Sequence, residues 1–379
     1  MWRWDIFCRV VDNYGDIGTC WRLAQQLATE HDAEVRLWVD QLPSFARLCP
    51  AVSIDADEQR VGSIEIRRWG CDFPHVEAAD VVIEAFACEL PERYVAAMAR
   101  RAVAPVWINL EYLSAEAWVE GCHRLPSLRM EGRPAKYFFF PGFTPQTGGV
   151  LRERDFVATR AAFDSSAEAE FWRSVGVPPR RDGEVRVSMF CYQNASLPDL
   201  LQCWADGQGE VTVLGAPGPA VDQMAGWFGA PLLPGVPLRR SGLTACALPF
   251  LPQSGFDRLL WGCDVNFVRG EDSFVRAQWA GRPFVWQIYP QAEDAHLVKL
   301  EAFLNRYVQG FEACAAVREC WHAWNGCGSM AAAWPDFAGE RKALEEHGKA
   351  WASRLDQTGD LADNLARFVR GICGVCRRA

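Results

Sequence analysis

The stretch Asp264–Pro290, DVNFVRGEDSFVRAQWAGRPFVWQIYP, leaves few folds open to the chain. Val265, Phe267 and Val268 form a short apolar run suited to a buried strand, and Phe284, Val285, Trp286 and Ile288 form a second. Two buried strands joined by a helix make a parallel βαβ unit. Between them, Arg269-Gly270-Glu271-Asp272-Ser273 leaves the first strand through a glycine and gives the helix start acidic and hydroxyl residues. In an open α/β sheet this junction, beyond the carboxyl ends of the strands, is where ligands bind. Free N–H groups at a helix start favour a phosphate, and Arg269 can add a charge-assisted contact. Glu271 and Asp272 would repel a diphosphate, so at least one of them is expected to face a sugar hydroxyl or a cation. An ordinary capped helix satisfies the same periodicity.

A chain of 379 residues exceeds a usual single core, and two domains are expected. Its net charge of −9 lacks the basic footprint of a nucleic-acid binder and suits a cationic substrate. The N-terminus has no long apolar core and no stretch reaches membrane-span length, so the expectation is a cytoplasmic protein without membrane attachment. Fifteen cysteines, many inside apolar segments, argue for reduced thiols. Cys373 and Cys376 form a lone CxxC with no second pair and no nearby histidine, weak grounds for a metal or redox site. His296 and His322 lie in helical patterns without ligand spacing and read as structural.

The first half opens with a strand over Ile6–Val11, the turn Asp12-Asn13-Tyr14-Gly15-Asp16, and a helix from Ile17 to Thr29. Gly15 and Gly18 lack the spacing of a dinucleotide fingerprint, and there is no P-loop. Asp16 is open to two readings, helix N-cap or cleft carboxylate; Asp12 likewise is a turn-former or a second carboxylate at the strand end. Further strands over Ala33–Val39, Ile64–Trp69, Ala79–Phe86 and Ala104–Leu110 imply a doubly wound sheet. Tyr112 follows the last of these, on the rim shared with Asp12. Asp55-Ala56-Asp57 matches the DxD of metal-dependent sugar transferases but sits in a charged loop and reads as coincidence. The Gly- and aromatic-rich stretch Glu131–Glu153 suits a domain crossing or a cleft cover.

Val185–Tyr192 restarts the βα pattern and marks a second domain. Tyr192-Gln193-Asn194, Phe250–Gln253 and Arg269–Ser273 all follow strands and converge on one edge. There an aromatic can stack on a nucleobase and a glutamine can read its polar rim. The expected layout is an N-terminal domain over 1–153, a linker region over 154–183, a nucleotide-sugar domain over 184–350, and a helix over 351–379 packing back on the first domain.

DNYGDIG, NLEYLSAE, FFFPGFTPQTGGVLRE and above all RGEDSFVRAQWAGRPFVWQIYPQ resemble the bacterial EarP family, which rhamnosylates an arginine of translation elongation factor P. The resemblance runs nearly the whole length. It implies a GT-B fold, two Rossmann-like doubly wound domains facing a central cleft, and an inverting, metal-independent glycosyltransferase without a cofactor. The implied donor is dTDP-β-L-rhamnose. Phe250 would stack on thymine with Phe190, Tyr192, Gln253 and Phe256 nearby, and Arg269, Glu271, Asp272 and Ser273 would hold the diphosphate and sugar. The implied partner, elongation factor P, docks on the N-terminal domain with Asp12, Asn13 and Tyr112 as acceptor contacts. Rhamnosylation would activate it to relieve ribosome stalling at polyproline.

A guanidinium is a poor nucleophile, protonated and delocalised, so a carboxylate must orient it and take a proton. Asp16 is the expected base, Asp12 the orienting group and Glu271 a fixer of sugar or acceptor, with the roles of the two aspartates interchangeable. Two other readings stand beside this one. The chain could be a GT-B enzyme for another nucleotide sugar or acceptor, or a non-catalytic protein that binds a translation factor.

Overall fold

The computed structural model describes residues 2–12, 14–127 and 134–376. The chain divides into two compact units, residues 1–154 with 355–379, and residues 155–354. Residues 155–183 lie in the second unit, where the helices Phe156–Ala161 and Ser165–Ser174 form. The tail from 351 is not one helix: Arg341–Thr358 ends before Gly359, and Leu361–Cys376 begins after it.

The first unit holds a seven-stranded sheet: β1 (Arg3–Cys8), β2 (Glu34–Val39), β3 (Glu58–Val61), β4 (Ile64–Arg68), β5 (Val81–Ala85), β6 (Val106–Leu110) and β7 (Lys136–Phe139). Its order is β3-β4-β2-β1-β5-β6-β7, parallel except for β3. Alternation along each strand feeds two cores. Ile6, Cys8, Leu37 and Ile83 pack with Ile17, Leu23 and Leu27 of the helix Gly15–Glu30 and with Leu365 and Val369 of the last helix. Phe7, Trp38, Val82 and Trp107 point the other way and meet Phe73, Tyr94 and Met98. Burying each such large side chain fully is worth about 1.5–3 kcal/mol.

The last helix is fastened by a close backbone crossing. Gly149 has φ +77, and a Cβ there would lie 2.2 Å from the Gly359 carbonyl oxygen, so both the conformation and the approach demand glycine. Beside it, Asp360 accepts from Arg152 N–H and Gln26 Nε2, each at 2.8 Å.

The second unit holds β8 (Val185–Met189), β9 (Val211–Gly215), β10 (Leu238–Arg240), β11 (Leu243–Ala247), β12 (Val265–Arg269) and β13 (Phe284–Gln287), ordered β10-β11-β9-β8-β12-β13. Only β10 runs antiparallel. β12, the helix Asp272–Ala280 and β13 form the βαβ unit expected from sequence. Asn266, fully buried in β12, is satisfied by Ser188 Oγ at 2.6 Å and the Leu260 carbonyl at 3.0 Å.

These orders place the functional loops. Chain progression reverses between β1 and β5 in the first sheet, and between β8 and β12 in the second. Such switch points leave a crevice at the carboxyl ends of the central strands. Asp12 and Asp16 follow β1; Phe190 and Tyr192 follow β8, and Arg269 ends β12.

Candidate active site

The helix after β1 starts at Gly15, two residues before the expected Ile17, with Tyr14 at the N-cap position. Asp16 is therefore not the N-cap. Its buried carboxylate reaches backwards, Oδ2 accepting from the N–H groups of Val11 at 2.7 Å and Asp12 at 2.8 Å. The Tyr112 hydroxyl donates to Oδ1 at 3.0 Å. Burial lifts the Asp16 pKa above its ordinary 3.8. The two N–H groups and the phenol pull the other way, and the negative charge of Asp12 adds to the rise.

Asp12 lies half-buried on the loop above, which is pinned where Asp40 accepts from Val10 N–H at 2.9 Å and Gln41 donates to the Val10 carbonyl at 3.1 Å. A Cβ on Gly15 would sit 2.9 Å from Asp12 Oδ2, so the glycine lets that carboxylate lie against the helix start. Of the expected acceptor contacts, the structure brings Asp12 and Tyr112 to Asp16; Asn13 lies outside the described residues.

Phe86 was not foreseen. Its ring stacks on Tyr112 with centroids 4.3 Å apart and planes 12° from parallel. It opens a loop in which Phe86, Ala87 and Glu89 all have φ between +53 and +57, a conformation costing about 1–3 kcal/mol for each non-glycine residue. The loop is held by Phe86 N–H on the Leu110 carbonyl at 2.7 Å, Ala87 N–H on Asn109 Oδ1 at 3.2 Å and Glu89 N–H on Glu84 Oε1 at 3.1 Å. The only sequence signal was its place after an apolar strand beside the switch point.

In the second unit Arg269 is buried, its guanidinium 4.5 Å from the ring centre of Phe190 and 4.3 Å from that of Tyr192. Phe256 meets Phe190 edge-on at 5.6 Å. Phe250 lies half-buried on the loop leading to the helix Gln253–Gly262. Gln253 Nε2 reaches Asp272 Oδ2 at 3.5 Å. Glu271 occupies the N-cap position of the helix Asp272–Ala280 without its side chain capping it. Ser273 is buried and folds back, its hydroxyl bonded to both the N–H and the carbonyl of Arg269. The serine thereby shapes the turn that carries the arginine.

Two further groups escaped the sequence reading. Tyr289, about half exposed, stands edge-on to Tyr192 at 5.3 Å; its place just after β13 was the available signal. Asp257 and Arg276 form a buried bidentate pair, both contacts at 2.8 Å, tying the helix Gln253–Gly262 to the helix Asp272–Ala280. Their separation along the chain gives no local signal.

Several other features fall outside these clusters. Asp55 and Asp57 are exposed, Asp57 pairing with Arg68 at 3.0 Å. Gln291 N–H donates to His296 Nδ1 at 3.2 Å, and His322 pairs with Glu301. Cys8, Cys88, Cys191 and Cys246 are buried free thiols, and Cys373 is half-buried in the last helix. Among the described residues no helix is long and apolar enough to cross a membrane.

A family model described as Elongation-Factor P (EF-P) rhamnosyltransferase EarP matches residues 4–370. A protein-arginine rhamnosyltransferase of Pseudomonas aeruginosa is 48% identical over 373 residues, spanning 97% of this chain and 99% of that one. A solved structure described as the structural basis for EarP-mediated arginine glycosylation of translation elongation factor EF-P is 34% identical. It covers 98% of this chain and 99% of its own, with a TM-score of 0.69. MurG of Acinetobacter baumannii, 11% identical with a TM-score of 0.50, shares the fold alone. The chain is thus a glycosyltransferase of GT-B fold and belongs to the EF-P rhamnosyltransferase EarP family.

Proposed function

We propose that the chain transfers L-rhamnose from dTDP-β-L-rhamnose to one arginine of elongation factor P, inverting the anomeric centre without a metal. The family membership supports the reaction, and the Asp16 environment supports the chemistry. A buried carboxylate with a raised pKa, beside a second carboxylate at a switch point, suits a base that must act on a guanidinium.

In this reading the incoming guanidinium meets half-buried Asp12, which orients it by paired hydrogen bonds. A guanidinium nitrogen attacks the anomeric carbon as the bond to the diphosphate oxygen breaks. The proton released from that nitrogen passes to Asp16, and dTDP departs. The product guanidinium keeps its positive charge. Arg269 and the N–H groups at the start of the helix Asp272–Ala280 stabilise the charge growing on the diphosphate. Glu271 fixes the sugar or the acceptor, and Phe250 and Tyr192 hold the thymine.

Intact-mass analysis of elongation factor P after incubation with the chain and dTDP-L-rhamnose tests this. One added deoxyhexose, mapped to an arginine and unaffected by EDTA, is the expected result. Binding of dTDP without any mass change would overturn the acceptor; addition from a UDP-sugar instead would overturn the donor.

A further inference from the structure

Tyr112 is 39% exposed, yet its hydroxyl must stay at Asp16 Oδ1 to complete that carboxylate's set of donors. A tyrosine on a loop after a strand has rotamer freedom to lose, and every contact on its ring narrows it. The near-parallel Phe86 ring covers one face of Tyr112 and restricts it. Phe86 achieves this from a left-handed backbone, at the head of a loop with two more such residues, held by side chains and carbonyls of β5 and β6. Strain that persists because its surroundings over-determine it points to a positional role.

We infer that Phe86 is a positioning residue for the reaction, its ring fixing the Tyr112 hydroxyl against the Asp16 carboxylate. This rests on the reading of Asp16 as the base. Among the described residues, the titratable groups that act on or are acted on by Asp16 include Asp12 on the same loop, Tyr112 after β6 and the Cys8 thiol at the end of β1. Only Tyr112 among these donates a side-chain hydrogen bond to the carboxylate. Loosening it leaves the charged form less stabilised, and the acidic limb of turnover moves to higher pH by about 0.5–1 unit.

The test combines two readouts on the full chain. Tyrosine labelled with 13C at Cζ gives seven signals, and the Tyr112→Phe variant identifies that of Tyr112. In the unsubstituted chain this signal follows the titration of Asp16; in Phe86→Leu it should lose that dependence, and in Phe86→Tyr it should keep it. In parallel, the acidic limb of kcat/KM should rise equally in Phe86→Leu and Tyr112→Phe, and no further in the double variant. An unchanged Tyr112 signal in Phe86→Leu overturns the inference, as does an additive double variant. If the signal changes but neither limb moves, Phe86 has no part in the reaction. Asp16→Asn then separates the faults: turnover lost there keeps the base and rejects Phe86, whereas turnover intact rejects the base reading itself.

Discussion

The guanidinium of Arg269 packs 4.3 Å from the ring centre of Tyr192, with the main chain of the same arginine braced by Ser273. A planar cation between two aromatic rings is held in orientation as well as in place. Lysine keeps the charge but not the plane. Arg269→Lys should weaken dTDP binding at least ten-fold, about 1.4 kcal/mol, while Tyr192→Phe, which retains a ring, should cost less. Calorimetric titration with dTDP alone checks this, and equal affinity in Arg269→Lys would deny the stack any role.

The legible parts of the chain were those where neighbours in sequence are neighbours in space. The strand-turn-helix-strand from Val265 to Gln287 follows from apolar runs and a glycine turn, and it appears at those positions. Convergence of Tyr192 and Arg269 followed from parallel strands presenting their carboxyl ends together, whereas Phe190, read as part of the strand, was expected beside them only through the family resemblance. The start of the first helix was misplaced because a Tyr-Gly pair carries no capping signal, while Asp16, which resembles a cap, bonds back to the strand end. Phe86 was illegible for another reason. Its left-handed backbone is held by Leu110 and Asn109, which only the folded sheet brings near, while Glu84 of its own strand braces the far end of the loop at Glu89.

Asp257 and Arg276 were equally hidden, and they make a sharp test of the donor scaffold. Both are buried, and Arg276 also lies 4.5 Å from the Phe156 ring centre. Removing one partner strips a buried charge of its bidentate counter-ion, at a cost of about 3–5 kcal/mol. Asp257→Asn should lower the melting temperature of the second unit by roughly 10 °C and weaken dTDP binding with it. Replacing both, as Asp257→Leu with Arg276→Met, should recover most of that stability, because burying an ion pair repays little of its desolvation. A double variant no more stable than the single one would contradict this.

Gly15→Ala separates the placement of Asp12 from stability. The added Cβ meets the end of a movable side chain, Asp12 Oδ2 at 2.9 Å, and alanine favours the helix it joins. The melting temperature should shift by no more than about 2 °C, while turnover falls ten-fold or more as the carboxylate is displaced. Unchanged turnover would show that Asp12 need not lie against the helix start.

Asp16 links activity and stability to pH with opposite signs. A base works deprotonated, and burial has raised this carboxyl above 3.8, so turnover should fall as pH drops through a limb higher than an ordinary aspartate gives. For stability, a carboxyl whose folded pKa exceeds its unfolded value favours the fold below the unfolded pKa. That contribution is lost as pH rises through the folded pKa, and at neutral pH the buried charge opposes folding. Asn at this position can still accept from Val11 and Asp12 with its oxygen and donate to the Tyr112 oxygen with its amide. Asp16→Asn should therefore lose turnover by about 10²–10⁴ while melting at or above the unsubstituted chain at pH 8. That melting advantage should shrink as pH falls toward 4. A less stable Asp16→Asn at pH 8 would mean that its hydrogen bonds outweigh its burial, and normal turnover would remove Asp16 from the chemistry.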